Sequence, residues 1–504
     1  MKKKRSDNRF AKTLAVILVV TVALSALLIR FGHSITNTLS LKAHAASDQW
    51  PEGNPGPQNY DQIAVQAYIY GYPLVVLSRI RKLHTLSKQG MEGIRAPINT
   101  FAHTSRLLTA KDPRDTITPN HDTLQSNAWL DLGSEPEVLE VPNMPARFAN
   151  TRGRYYVLWF VDAYGNVFKN IGRRTTGNRS GTYLITGPNW NGSAPKGLTE
   201  IKSPTNNVWL RGHTYVDVYE DTEKAISLIR KIRLTSLSLF LRNAQPATVT
   251  AAQPSGTLLS PQEVDAAGIK FFDEMCEALK ENPPPAQESE LLTQFQTIGV
   301  GPGRVPSVEV KDPQVLAALT SSVKMTEKLI SEKLDNLGQK VNGWEYTFKT
   351  GAYGQDFLLR AAMAKIGPGA NVREEVTGAL TRTDQNGQQL IGERKYIIRM
   401  DKAHIPPVDA SWSLTLYSSA DSFFFDNPLN RYSIGGTSHG LVSNPDGSIE
   451  ISIQYDIPDD ARRRPNWLPA PKGPFYLVFR AYQPRAEIFN GRYEFPSVEH
   501  IVKK

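Results

Sequence analysis

The 504-residue sequence predicts a multi-domain α+β protein, with two β-sandwich, jelly-roll-like lobes and an intervening helical region. Three observations carry that expectation. Apolar residues alternate with period two from about residue 126 to 219, a helical period runs from about 222 to 365, and strict alternation returns in the last third. The boundaries that follow are 60–240 for a first β-rich domain, 241–370 for a helical linker region and 371–504 for a second β-sandwich. Residues 1–46 form an N-terminal segment of different character.

Each element has a local reason. Beyond the Pro- and Gly-rich stretch 50–57, Ile63, Ala64, Ala67, Tyr68 and Gly71 recur at helical spacing. Pro73 has no N–H to give and crowds the preceding turn, so this helix is expected to kink or restart near Gly71 and Tyr72. In the strand region Tyr155, Val157, Trp159 and Val161 share one face while Tyr156, Leu158 and Phe160 share the other. A strand apolar on both sides is a central one, and Asp162 ends it. Residues 208–219 alternate too, placing Arg211, His213, Tyr215 and Asp217 on one face. Two helical stripes follow, Phe272, Met275, Cys276 and Leu279, then Leu316, Leu319, Val323, Ile330, Leu334 and Leu337. Asn282-Pro283-Pro284-Pro285 stops the first of them. Near the C-terminus Ile449, Ile451, Ile453 and Tyr455 alternate with Glu450, Ser452 and Gln454, which predicts one wet face. Trp412, Leu414 and Leu416 alternate with Ser411, Ser413 and Thr415, and Phe475, Leu477 and Phe479 with Tyr476, Val478 and Arg480. Asn444-Pro445-Asp446-Gly447 supplies a turn.

The formal charge of +9 resembles a nucleic-acid footprint until it is located. Residues 1–46 hold eight Lys and Arg against Asp7, which accounts for +7, and the remaining 458 residues carry +2. No nucleic-acid partner is therefore expected. The basic stretch precedes an uncharged apolar run at 13–29, the pattern of an export signal or a membrane anchor. Cleavage after Ala43-His44-Ala45 and retention as one membrane-spanning helix are both open. In either case the body is expected outside the cytoplasm, in the periplasm or otherwise on the envelope, with the membrane a partner if the segment is uncut. A lone Cys276 forms no internal disulfide, and its place in an apolar stripe makes it a core residue.

Familiar catalytic signatures do not occur. His121, His213, His404 and His439 are scattered and no His-Glu-x-x-His is present, so neither metal nor cofactor is expected. Ser438 and His439 are adjacent on a strand and point to opposite faces. Gly299-Val300-Gly301-Pro302-Gly303 follows a helix and lacks the Lys-Ser/Thr ending of a phosphate loop. The polar knot Thr118-Pro119-Asn120-His121-Asp122-Thr123 has two readings. Asn120 and Asp122 form Asx turns that set how a strand enters its sheet. Alternatively Asp122 meets a guanidinium of Arg173 or Arg174 and orients a polar ligand. Phe423, Phe424 and Phe425 either wedge between the lobes, line an apolar pocket whose polar groups are Asn430 and Arg431, or bury against a second copy of the chain. Trp467 either stacks on a sugar or pins its own loop.

Several of these stretches resemble a known family. Thr118-Pro119-Asn120-His121-Asp122-Thr123-Leu124, Ala128-Trp129-Leu130-Asp131-Leu132, Arg154-Tyr155-Tyr156-Val157 and Arg174-Thr175-Thr176-Gly177 are similar to the bacterial envelope family called domain of unknown function 1254. Trp412-Ser413-Leu414-Thr415-Leu416-Tyr417, Asn427-Pro428-Leu429-Asn430-Arg431-Tyr432, Asp446-Gly447-Ser448 and Asn466-Trp467-Leu468-Pro469-Ala470-Pro471 resemble its C-terminal companion, domain of unknown function 1214. The chain departs from the first pattern at Gln125, where an aromatic residue is expected. The resemblance implies two fused β-sandwich domains and no settled reaction. The functional expectation is an envelope protein that binds a small or polymeric ligand between its lobes. The alternative is a hydrolase or lyase with Asp122 as general base and Arg173 or Arg174 stabilising negative charge.

Overall fold

The computed structural model describes residues 59–86, 93–114, 118–145, 153–216, 221–244, 258–436, 438 and 440–501. The N-terminal signal or anchor segment, Asp217 and His439 lie outside the described residues. From residue 50 onward the chain is one compact unit built of two two-sheet lobes and a helical layer, an α+β architecture as the periodicity predicts.

The first lobe pairs a five-stranded sheet with a four-stranded one. The larger has the order β1 (Ala102–His103), β2 (Thr123–Asp131), β8 (Asn207–Tyr215), β4 (Tyr156–Val161), β5 (Val167–Gly172). The smaller has β7 (Thr199–Lys202), β6 (Gly181–Thr186), β3 (Glu137–Val141), β9 (Arg233–Ser236). Tyr156, Leu158 and Phe160 point into the core between these sheets with Leu139, Ile185 and Leu210. Tyr155, Val157, Trp159 and Val161 point the other way, into the helices. This is why β4 is apolar on both faces: its sheet is a sandwich wall on one side and a floor for helices on the other.

The helical layer starts before the first lobe. Helix α1 (Tyr60–Leu86) packs against α3 (Lys270–Glu281), α5 (Pro313–Asp335) and α6 (Phe357–Ile366), while α2 (Thr222–Ile229) lies on the first lobe and α4 (Ser289–Gln296) beside α1. Long and apolar enough to cross a bilayer, α1 instead buries most of its length in this layer. It runs unbroken through Pro73, contrary to the expected restart. Packing on several sides compensates the one backbone bond that a proline removes. Its few charged groups are paired, Arg79 donating to both oxygens of Glu274 (2.8 and 2.6 Å) and to the Ser260 carbonyl. Cys276 is buried in this core, where loss of solvent pushes its thiol up to about 11. Its Sγ accepts from the Gly301 amide, so the glycine-rich run is a loop closed against α3.

The second lobe stacks a six-stranded sheet, β10 (Gln339–Val341), β11 (Trp344–Tyr346), β12 (Val376–Thr381), β18 (Phe475–Pro484), β14 (Val408–Ser418), β15 (Ser433–Gly435), on a four-stranded one, β17 (Trp467–Pro469), β16 (Ile449–Gln454), β13 (Tyr396–Met400), β19 (Glu499–His500). Trp412, Leu414, Leu416, Phe475, Leu477, Phe479, Ile449, Ile451 and Ile453 meet between them. Two local expectations fail. Strands β9, β10 and β11 fall inside the stretch read as helical, because three or four residues hold too few periods to show. The second face of β16 is not wet throughout: Ser452 and Gln454 are buried, and of the three polar residues only Glu450 is partly open.

One buried ion pair locks the end of the first lobe. Arg154 and Asp221 are at most 2% exposed and doubly hydrogen bonded, with Arg154 also donating to the Tyr215 carbonyl. Removing one partner strands the other charge out of water, so Asp221→Ala is expected to cost about 3–5 kcal/mol. Replacing both by apolar residues, Arg154→Met with Asp221→Leu, restores most of the loss. Urea denaturation of the three variants checks this.

Candidate functional site at the lobe junction

Alternation along β14 and β18 leaves Ser411, Ser413, Thr415, Tyr476, Arg480 and Tyr482 on the face turned away from the second core. That face packs on the first lobe, and the polar knot fills the seam. Asn120 behaves as the Asx turn predicts, its Oδ1 accepting from the amides of Asp122 (2.6 Å) and Thr123 (3.1 Å). Its Nδ2 also donates to the Tyr482 hydroxyl at 2.7 Å. Asp122 reaches across to the other lobe. Its Oδ2 accepts from Ser413 (2.5 Å) and Tyr482 (2.8 Å), and its Oδ1 from Ser433 (2.9 Å). The Tyr417 hydroxyl donates to the Pro119 carbonyl at 2.5 Å, and Arg480 to the Thr118 carbonyl and the Thr415 hydroxyl. Burial and then the Asp122 charge hold the Tyr482 phenol well above its ordinary range. Burial pulls Arg480 down, but Tyr417, Tyr482 and Asp122 outweigh it and hold the guanidinium above the usual arginine range.

The expected meeting of Asp122 with Arg173 or Arg174 does not occur. Arg173 donates to Gln483 Oε1 (3.0 and 2.6 Å) and to the carbonyls of Gly153 and Asp409, with its guanidinium 5.8 Å from the Tyr155 ring. Arg174 pairs with the buried Glu375 at 2.5 Å. Both arginines thus fasten the first lobe to the second. Tyr155, whose ring lies 5.5 Å from that of Tyr482, separates them from the Asp122 knot. Phe423 and Phe424 wedge between the lobes against Leu108, Ala110, Tyr417 and Tyr432, while Phe425 turns to the second core. Asn430 is exposed with a left-handed φ of 48° and accepts from Tyr432. Arg431 donates to the carbonyls of Pro465 and Trp467. Trp467 pins its own loop, buried and donating to the Gln454 carbonyl, which leaves no ring face for a sugar.

A second cluster was visible in the sequence only as polar residues sharing a strand face. On the helix-facing side of the first sheet, Arg211 pairs in register with Asn127 and Trp159, and its neighbour His213 with Gln125 and Val157. The Arg211 guanidinium lies 4.4 Å from the Trp209 ring and 5.0 Å from the Trp159 ring. Trp209 stacks on Trp129 at 5.0 Å, and His84 from the end of α1 sits edge-on to both. Arg211 Nη1 donates to the carbonyls of Pro368 and Gly369, and Trp159 Nε1 also donates to Gly369. Gly369 has φ 71°, and a Cβ there would come within 2.9 Å of the Trp209 ring, so glycine lets this carbonyl approach. Burial draws the Arg211 guanidinium down to about 10. Burial, then Arg211 and Arg480, hold His213 down at about 3; burial, then Arg95 and Arg211, hold His84 at about 3. No group of His, Cys, Asp and Glu suited to a metal ion occurs among the described residues.

Two sandwiches fused through a helical layer, with a polar seam between them, define a class of two-lobed β-sandwich protein. Residues 98–236 match the family model described as "Protein of unknown function (DUF1254)" and residues 375–486 the model described as "Protein of unknown function (DUF1214)". The chain is a fusion of these two in that order, and the matches coincide with the strands of the first lobe and the main strands of the second. The crystal structure of the VPA0106 protein from Vibrio parahaemolyticus is similar in fold, with a TM-score of 0.66 at 23% identity over 88% of this chain and all of the other. A putative uncharacterized protein from Burkholderia cenocepacia aligns over 88% of this chain and 94% of its own, at 10% identity and a TM-score of 0.39. No curated protein matches the chain.

Asp122→Ala removes an acceptor shared by three hydroxyls and the negative charge near Arg480. A loss of about 3 kcal/mol or more in urea denaturation is expected, with Ser433→Ala costing about 1 kcal/mol. For the histidines the folded state binds fewer protons than the unfolded one. Their contribution is present above the ordinary value of 6.5 and is lost as pH falls from there toward about 3. The thermal midpoint of the wild type is therefore expected to fall more steeply between pH 7 and 4 than that of His213→Gln, measured by calorimetry across that range.

Proposed function

We propose that this protein is an exported binding protein of the cell envelope, tethered by its N-terminal segment where that segment is uncut. Its ligand, a small molecule or the end of a polymer, sits where the first sheet meets the helical layer and the second lobe. The observation that carries the reading is a contrast in hydrogen-bonding capacity. Asp122, Arg173 and Arg174 are occupied by protein partners, whereas Arg211 Nε, His213 Nδ1 and Trp209 Nε1, clustered on one sheet face, are buried without one. A cluster of unused buried donors and acceptors on a partly buried arginine calls for an explanation, and a ligand supplies one. The concentration of positive charge before the apolar run at 13–29 supports export.

The hydrolase or lyase alternative draws no support from this geometry. A general base has to reach a substrate proton, and the oxygens of Asp122, a residue about 8% exposed, already accept three hydroxyl hydrogens. Arg173 and Arg174 are held by Gln483 and Glu375 instead.

Export is checked by fusing alkaline phosphatase, active only after translocation, to the C-terminus. Activity in intact cells is expected, and a fusion active solely as a cytosolic green fluorescent reporter would overturn export. Binding is checked by native mass spectrometry of protein extracted from its own cells. A bound small molecule that is released on denaturation, and diminished in Arg211→Gln, is the expected result.

A further inference from the structure

We propose that the Arg211 cluster is a carboxylate-binding site, taking the acid group of a small organic monocarboxylate; this rests on the binding-protein reading above. The guanidinium has a used side and an unused one. Nη1 is fixed by the carbonyls of Pro368 and Gly369, while Nε and Nη2 donate to nothing among the described residues. Nε and Nη2 form the side-on fork whose two parallel N–H bonds match the two oxygens of a carboxylate. No carboxylate of the described residues pairs with this cation, whereas Arg79, Arg154 and Arg174 each have one; Arg360, also without one, is closed in by three rings. An uncompensated cation held between Trp209 and Trp159 is costly unless an anion joins it.

The surroundings select the kind of anion. His213 lies edge-on to Trp159 at 4.8 Å, its Nδ1 is buried without a partner, and it takes up a proton more readily beside an added negative charge. Trp209 Nε1, also buried and unpartnered, is a further donor, and the half-buried Gln125 amide opposite His213 makes no side-chain hydrogen bond. These groups suit one negative charge and two oxygens. A phosphate dianion asks for more than one cation in direct reach, and the nearest further cations, Arg95 and Arg480, act on His84 and His213 while donating to carbonyls of Leu83 and Thr118. The rings of Trp129, Trp159 and Trp209 form an apolar wall, so the body attached to the acid is expected to be apolar rather than sugar-like.

The test uses the full-length chain in detergent, with sodium benzoate and sodium acetate as probes against sodium chloride at equal ionic strength. Tryptophan emission and thermal midpoint are both read. Benzoate is expected to give a saturable shift in each, with acetate weaker. Arg211→Gln is expected to weaken apparent benzoate affinity by about 30-fold or more. Gln125→Glu places an internal carboxylate beside the cluster and is expected to abolish the benzoate response while raising the ligand-free midpoint, which keeps the test informative if Arg211→Gln fails to fold. Arg462→Gln, on the exposed surface, is expected to bind as wild type. The proposal is overturned if neither carboxylate gives a saturable response, if Gln125→Glu binds benzoate unchanged, or if inorganic phosphate alone binds. Should those failures coincide with a different molecule released from natively extracted protein, the carboxylate assignment falls and the binding-protein reading stands.

Discussion

The relative placement of the two lobes depends on one carboxylate. Apolar contact between sandwiches tolerates small slides, because the hydrophobic effect has no direction. Asp122 does not tolerate them: it sits out of water and has to be met by Ser413, Ser433 and Tyr482 from three neighbouring strands, with Arg480 close enough to balance its charge. Each of those partners stands on the outward face of β14, β15 or β18, so the register of the second lobe's large sheet is tied to a loop of the first. Asn120 holds the loop in shape through the Asp122 and Thr123 amides. The aromatic wedge of Phe423 and Phe424 then supplies bulk burial around a geometry that the polar knot has already set.

What the sequence disclosed about the fold follows from the same division between direction and bulk. Period-two runs of five or more residues, as in β4, β14, β16 and β18, record which face meets a core, and those cores are where alternation places them. Alternation does not record what covers the other face. Ser411, Ser413 and Thr415 read equally well as a wet surface and as a buried seam, since a hydroxyl is satisfied by water or by a carboxylate 291 residues away in sequence. The same limit explains why Asp122 was legible as a turn and as a ligand contact but not as a strut between lobes. Arg211 and His213 were legible as face-sharing neighbours; the cage around them draws Trp129, Trp159, Trp209, His84 and Gly369 from separate elements, a juxtaposition that only strand register produces.

Buried arginines show how differently one charge is accommodated in this chain. Arg154 faces a carboxylate directly, Arg79 has a carboxylate and a carbonyl, and Arg480 relies on tyrosines and a carboxylate it does not touch. Arg360 is enclosed by the rings of Tyr70, Tyr164 and Phe357, with Asp162 near enough to feel its charge. Rings alone offset part of the desolvation of a guanidinium, about 2 kcal/mol at a dry site, which is less than burying a charge costs. Arg211 has rings and two carbonyls but no acid partner, and it remains partly open to solvent where Arg360 is closed.

That difference in access decides which of the two is structural. A sealed cation such as Arg360 has its full electrostatic environment fixed when the chain folds, and nothing arriving later can alter it. Arg211 is only partly buried as a residue, and its Nε, though out of water, has no partner, on a strand that is central in its sheet and held by β2 and β4 on both sides. A rigid strand carrying an unsatisfied fork loses little conformational freedom when an anion binds, so its interaction energy appears as affinity rather than being absorbed in ordering the site. The polar seam at Asp122 is the opposite case: both oxygens of that carboxylate accept from hydroxyls within the chain, and its contribution is to hold still the lobes whose junction frames the arginine.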